Sequence, residues 1–221
     1  NAPQKLELER LAGLYTSDKF NQQILLDRTY NIKLKAVQEG VDTYWLSKPV
    51  QTGIGQTHNL SLSGGDPAFR YSLNLQSRKI TGAMKGSDRS NFNGSINITY
   101  LLNKLRFTNI LSIGFNNSEN SQYGSFSEYA NLNPYWRPYD ENGDQPIQYG
   151  VNEPGFNPVF NPMYNASLSG FDKSKYTDIR ENFNLEWTLN ESFKVSGTVG
   201  YNRNLGQSDK FVSPFSTNFF N

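Results

Sequence analysis

Six stretches of the chain alternate with a period of two, and that alternation governs what it can fold into. They run 57–63, 68–76, 91–101, 105–115, 180–189 and 193–203. Each reads as a β-strand, because successive side chains on a strand point to opposite faces. One set of faces carries Leu60, Leu62, Phe69, Tyr71, Leu73, Leu75, Phe92, Ile96, Ile98, Tyr100, Leu105, Phe107, Leu111, Ile113 and Phe115. It continues with Phe183, Leu185, Trp187, Leu189, Phe193, Val195, Val199 and Tyr201, with His58, Gly94, Asn109 and Gly197 as its exceptions. None of these is Asp, Glu, Lys or Arg. The other set is Asn-, Ser- and Thr-rich and holds the charges Arg70, Arg106, Glu186 and Lys194.

The connections are as uneven as the faces are sorted. Short ones, Gly64-Gly65-Asp66-Pro67, Leu102-Asn103-Lys104 and Asn190-Glu191-Ser192, are turn sequences. Between them lie long ones, 77–90 and 116–179, the second longer than compact domains accommodate. Short turns on one side and long loops on the other are the layout of an outer-membrane barrel, where a charge on the lipid face costs about 2–4 kcal/mol for Arg or Lys at midplane. Aromatic residues mark both ends of the band: Phe69, Tyr100, Phe107, Trp187 and Phe193 toward the short turns, and Phe92, Phe115, Phe183 and Tyr201 toward the long loops. The rival architecture is a soluble antiparallel sheet covering a core on one face, as in a β-sandwich that binds carbohydrate or acts as an adhesin. It explains the alternation but not the aromatic ends or the turn–loop asymmetry.

Composition supports the same reading. Hydrophobic content is only 36%, yet 14% of residues are aromatic, which disordered chains lack. No apolar run approaches the ~20 residues of a membrane helix. The first residues, Asn1-Ala2-Pro3-Gln4, carry neither basic nor apolar leader character. Net charge is +1 with scattered cations, so nucleic-acid binding has no footprint. Cysteine is absent, which excludes disulfides and thiolate metal sites. Ahead of the strands, residues 3 to about 40 read as two short amphipathic helices, with Gly13 and Gly40 as their stops. The expected organisation is a helical and irregular loop segment over 1–55, then a β-barrel segment over 56–221 with one long extracellular loop.

Several short motifs, in order, resemble those of SusC/RagA-like TonB-dependent transporters. They are Gly40-Val41-Asp42-Thr43-Tyr44-Trp45-Leu46, then Thr57-His58-Asn59-Leu60-Ser61-Leu62-Ser63-Gly64-Gly65, then Arg70-Tyr71 followed by Gly82-Ala83-Met84-Lys85-Gly86-Ser87. Further along come Tyr123-Gly124-Ser125-Phe126-Ser127-Glu128-Tyr129, Asn133-Pro134-Tyr135-Trp136-Arg137-Pro138-Tyr139-Asp140 and Asn161-Pro162-Met163-Tyr164-Asn165-Ala166-Ser167-Leu168. The resemblance implies a Bacteroidetes outer-membrane importer of oligosaccharides or, in one branch, peptides. It also implies a 22-stranded barrel lidded by a SusD-like surface lipoprotein and energised by TonB through an N-terminal plug. This sequence shows no plug and no TonB box, and six strands cannot close such a barrel.

Catalysis finds no footing. His58 is the only histidine, and no Gly-x-Ser-x-Gly elbow is present. No cofactor is implied. Asp140-Glu141-Asn142-Gly143-Asp144 fits an Asn-Gly turn better than a calcium loop, which wants its glycine later. If the chain touches substrate or the lid, Tyr135, Trp136, Arg137 and Tyr139 are the expected residues, with Tyr123 and Phe126 behind them. Packing of that aromatic cluster within the loop is the favoured alternative. Arg70, Arg106, Glu186 and Lys194 are expected to face the lumen or the plug.

Overall fold

The computed structural model describes residues 1–150 and 159–220. In chain order the elements are helices α1 (Ala2–Leu11) and α2 (Phe20–Gln38), then strands β1 (Ile54–Gly65), β2 (Phe69–Thr81), β3 (Asp88–Leu102) and β4 (Leu105–Glu119). After α3 (Phe126–Ala130), β5 (Gln148–Tyr149), β6 (Val159–Phe160) and α4 (Pro162–Ser167) come the long strands β7 (Phe171–Thr188) and β8 (Lys194–Phe211). The chain separates into two compact units. One joins 1–51, 122–170 and 212–221; the other joins 52–121 and 171–211. Within the first unit, aromatic residues of the 122–170 connection pack with the N-terminal segment.

The strand unit is a single antiparallel sheet in the order β1-β2-β3-β4-β7-β8. Of all the residues in its six strands, only Gly114 is buried. A soluble sandwich hides one face of each sheet against a second sheet; this sheet has no such core. On the apolar face Leu60 and Leu62 stand opposite Leu75 and Leu73, and Ile96 stands between Leu73 and Leu111. Phe193 and Val199 are 66% and 70% exposed. An uncovered apolar face this broad is incompatible with water as its only solvent.

The turns explain the registers. In the β1–β2 turn the Asp66 carboxylate accepts from the amides of Ala68 and Phe69 at 2.8 and 2.7 Å. Asn190 does the same in the β7–β8 turn, accepting from Ser192 and Phe193 at 2.9 and 3.0 Å. The two-residue β3–β4 turn starts at Asn103 with φ of 52°, a conformation asparagine tolerates and this hairpin position requires. Gly65 is more constrained still. Its φ is 123°, and a Cβ there would lie 2.0 Å from the Phe69 carbonyl oxygen. Gly65→Ala is therefore expected to destabilise the β1–β2 hairpin by at least about 2 kcal/mol, read as a lower midpoint in urea unfolding of the detergent-folded barrel. An unchanged midpoint would refute this account of the turn.

Two expectations are corrected. The strands extend well past their predicted outer ends: β7 starts at Phe171 rather than 180, β4 runs to Glu119, and β2 and β3 close the 77–90 connection to 82–87. The outer parts are wet on both faces, so no hydrophobic alternation reports them. As a result Phe183 and Tyr201 lie in the short-turn half and the middle of their strands, not near the long-loop ends; the Phe183 ring is 6.3 Å from that of Phe107. Second, the apolar face is not free of charge. Register places Glu181 opposite Leu111 and Tyr201, and Arg203 opposite Ile179, both on that face. Glu181 accepts from the Asn109 amide at 3.1 Å, which pairs the two polar groups there. The charge-free band thus steps toward the short turns from β1 to β8, as it does where strands tilt from the axis of a barrel.

The helices end as glycine dictates. Gly13 and Gly40 adopt φ of 76° and 82° just beyond α1 and α2. Among the described residues no helix is long and apolar enough to cross a membrane, which is silent about strands. Of the expected loop 116–179, residues 151–158 lie outside the described residues.

Candidate functional site

The loop unit is built around two aromatic clusters. Trp45, Tyr129, Leu132, Tyr149 and Met163 form one; Ala2, Leu6, Tyr15 and Tyr135 form the other, and Trp136 packs against both. Two distant stretches of sequence are stitched between them. The Thr43 amide donates to the Pro134 carbonyl at 2.8 Å, the Thr43 hydroxyl to the Trp136 carbonyl at 2.7 Å, and the Trp45 indole N–H to the Asn133 carbonyl at 2.9 Å. Trp136 stacks on Tyr149 with ring centroids 4.9 Å apart and planes 8° from parallel. Tyr149 in turn donates to the Arg137 carbonyl at 2.6 Å. Burial pushes the Tyr149 and Tyr129 phenols well above the ordinary tyrosine range, so both stay neutral; Tyr149 is the donor to Arg137, while the buried Tyr129 hydroxyl has no hydrogen-bond partner among the described residues.

The stitching opens a groove of about 380 Å3 lined by Glu39, Asp42, Tyr44, Lys48, Arg137 and Tyr139. Arg137 donates to Glu39 at 2.7 Å, and both side chains remain about half exposed. Tyr44 and Tyr139 present exposed rings. Flat phenols with polar tips beside a guanidinium–carboxylate pair can grip a polar oligomer through stacking and hydrogen bonds. Of the predicted residues, only Arg137 and Tyr139 line this groove. Tyr135 is 3% exposed and belongs to packing; Trp136 and Tyr123 are partly buried against the clusters, and Phe126 is exposed at the start of α3. Tyr44 was missed. The signal lay in Tyr44-Trp45, where one neighbour anchors inward through its indole and leaves the other facing out.

Asp140 heads a turn. Its carboxylate accepts from the amides of Asn142 and Asp144 at 2.9 Å each, and Gly143 supplies φ of 86°.

The polar face of the sheet holds the second feature. Register aligns Asn59, Gln76, Asn93, Gly114, Asp178 and Asn204 in one row across all six strands. Gln76 donates to Asn59 at 3.0 Å and Asn93 to Gln76 at 3.4 Å. The row breaks at Gly114, where a Cβ would meet the Asn93 Oδ1 at 3.0 Å. Beyond the break Arg180 pairs with Asp178 at 2.5 Å. A hollow of about 540 Å3 lies over this row. Toward the short turns Glu186 lies 3.9 Å from Arg106 and 3.1 Å from Lys194. Arg70 shares their face but stands apart, its register neighbour being Thr99. Asp178 and Arg180 escaped sequence reading because they fell at the edge of the presumed loop. His58 is exposed on the apolar face, opposite Ser77.

No protein-family model matches the chain, and no curated protein matches it. Solved structures do. A chain of the RagAB peptide transporter superposes with TM-score 0.71 at 15% identity, covering 95% of this chain and 26% of that one. A chain of the RagAB peptide importer in its closed-closed state gives 0.68 at 16%, with the same coverages. The chain thus spans about a quarter of the length of the structures it matches. At such identities the likeness establishes fold alone: the antiparallel strands and attendant loops of part of a β-barrel.

Proposed function

We propose that the chain forms part of the wall and outer loops of a TonB-dependent outer-membrane importer of oligomeric nutrients. The observation that carries this reading is a six-stranded sheet with no core, whose uncovered apolar face demands lipid and whose other face is amide- and hydroxyl-lined. Its two edge strands, β1 and β8, each pair on one side only, and strand edges in a membrane must be paired by further strands. In this reading the polar row and the Arg106–Glu186–Lys194 cluster, with Arg70 beside it, line the lumen and face the plug. The Tyr44–Tyr139 groove is an outer site for substrate or for a SusD-like lipoprotein lid. The RagAB likeness supports a peptide as one substrate class; oligosaccharide is the other.

The test is uptake of a panel of labelled oligosaccharides and labelled peptides by cells carrying the complete protein and by a deletion strain. The expected result is loss of uptake of one class on deletion. Replacing Tyr44 and Tyr139 by alanine should weaken uptake at limiting substrate roughly tenfold, about 0.5–1.5 kcal/mol for each ring. Recovery of the protein in the soluble fraction, or uptake of every oligomer unchanged by deletion, would overturn the reading.

A further inference from the structure

We infer that the apolar face carries, beyond its hydrophobic band, a binding site for a phosphorylated lipid headgroup, formed by Lys79, Ser90, Asn117 and Lys175. The inference rests on the barrel reading above.

The rows of the sheet give the order of chemistry along this face. One row is Ser77, Phe92, Phe115 and Thr177, in which the Phe92 and Phe115 rings lie 6.5 Å apart. Paired aromatics at the limit of an aliphatic band mark the boundary between acyl chains and headgroups. Two residues further from the short turns, the next row on the same face is Lys79, Ser90, Asn117 and Lys175, in register across β2, β3, β4 and β7. On β2, β3 and β4 this row directly follows that of Phe92 and Phe115; on β7 the charge-free band already ends at Glu181, so Lys175 stands further beyond it. A hollow of about 210 Å3 is lined by all four residues and, on its outer side, by Asp88, Arg89, Glu119 and Lys173.

The charges there are unevenly satisfied. In the following row outward Lys173 pairs with Glu119 at 3.5 Å, and Asp88 stands opposite Glu119. Among the described residues Lys79 and Lys175 have no carboxylate partner. Between them the Asn117 amide reaches the Ser90 hydroxyl at 3.5 Å, so the middle of the row offers neutral hydrogen-bonding groups. The two ammonium-bearing strands are three strand spacings apart, about 14 Å. Two separated cations with hydroxyl and amide groups between them suit an anionic headgroup that carries phosphate at its ends and polar oxygens in its centre. The carboxylates Asp88 and Glu119 on the outer side disfavour an anion placed further out.

The experiment uses the complete barrel in nanodiscs. Binding of diphosphoryl lipid A is compared with binding of the same lipid after removal of its phosphates, for the unmodified protein, for Lys79→Gln/Lys175→Gln and for Lys79→Arg/Lys175→Arg. A basic residue near an anionic membrane surface strengthens binding about fivefold. The double glutamine variant should therefore bind the phosphorylated lipid roughly 25-fold more weakly, while the arginine variant retains binding. Phosphate-free lipid should bind the unmodified protein as weakly as the glutamine variant binds the phosphorylated form. Equal binding by the unmodified protein and the glutamine variant, or indifference to the phosphates, overturns the site while leaving the barrel intact. Failure of the protein to enter nanodiscs at all would instead overturn the barrel reading.

Discussion

Ile96→Arg is expected to destabilise the inserted barrel by about 2–4 kcal/mol, whereas Ser95→Arg, one residue earlier, should leave it within about 0.5 kcal/mol. Ile96 lies between Leu73 and Leu111 on the apolar face. Ser95 lies between Asn74 and Ser112 on the polar one, beside the hollow that Asp178 and Arg180 also line. A guanidinium placed among leucines must stay in hydrocarbon or drag water with it. The same group on the opposite face meets amides, hydroxyls and solvent. The measurement is a urea titration of each variant folded into vesicles, followed by the gel shift between folded and unfolded forms. Equal effects of the two substitutions would mean that both faces meet the same solvent, and the membrane reading would fall with them.

Tyr135→Ala should be the most damaging change in the loop unit, at about 3–5 kcal/mol for loss of a buried aromatic. The cost does not end with the cavity. Glu9 is 4% exposed and accepts from Tyr135 at 3.0 and 3.1 Å and from Tyr15 at 2.5 Å, with Lys5 at 3.4 Å. The Lys33 ammonium lies 5.2 Å from the Tyr135 ring centroid and 5.3 Å from that of Tyr15, and is itself buried. Removing the ring strips a buried carboxylate of one donor and a buried ammonium of one π-face together. Tyr135→Phe keeps the ring and loses only the hydroxyl, so it should cost about 1–3 kcal/mol. Limited proteolysis of the membrane-embedded protein reads both: cleavage within 1–51 and 122–170 should accelerate strongly for the alanine variant and mildly for phenylalanine. If alanine were no more susceptible than phenylalanine, the ring would not be holding the cluster together.

What the sequence disclosed follows from where solvent differs across a strand. Between Phe69 and Leu75, or Leu105 and Phe115, one face is apolar and the other polar, and the residues alternate accordingly. At Asp172, Lys173, Ser174 and Lys175 both faces are wet. The strand continues through backbone pairing that leaves no trace in side-chain type. Glu181 and Arg203 show a related blind spot. Which level of a strand meets the membrane depends on tilt and on neighbours, and neither is written in its own residues. In the loop unit the aromatic cluster was visible as Tyr135-Trp136-Arg137, but its division of labour was not. Tyr135 turns inward because Glu9, more than a hundred residues earlier, awaits its hydroxyl. No local pattern announces such a pairing.

The connection between β4 and β7 also bears on how this chain reaches its folded state. The β1–β2, β3–β4 and β7–β8 hairpins each close through a few residues and can form early. Pairing β4 with β7 requires joining Glu119 to Lys173 across the intervening chain, a slower search. Yet Tyr129, Leu132, Tyr149 and Met163 all lie inside that connection and cluster together. The Asn120 amide donates to the Asp172 carbonyl at 2.9 Å where its ends meet. A connection that condenses on these aromatics, with Trp45 of the N-terminal segment among them, brings its two ends closer and shortens the effective closure. A slip of one residue in that pairing would carry Asp178 and Arg180 onto the apolar face. Variants that loosen this cluster are expected to slow assembly before they alter the finished sheet.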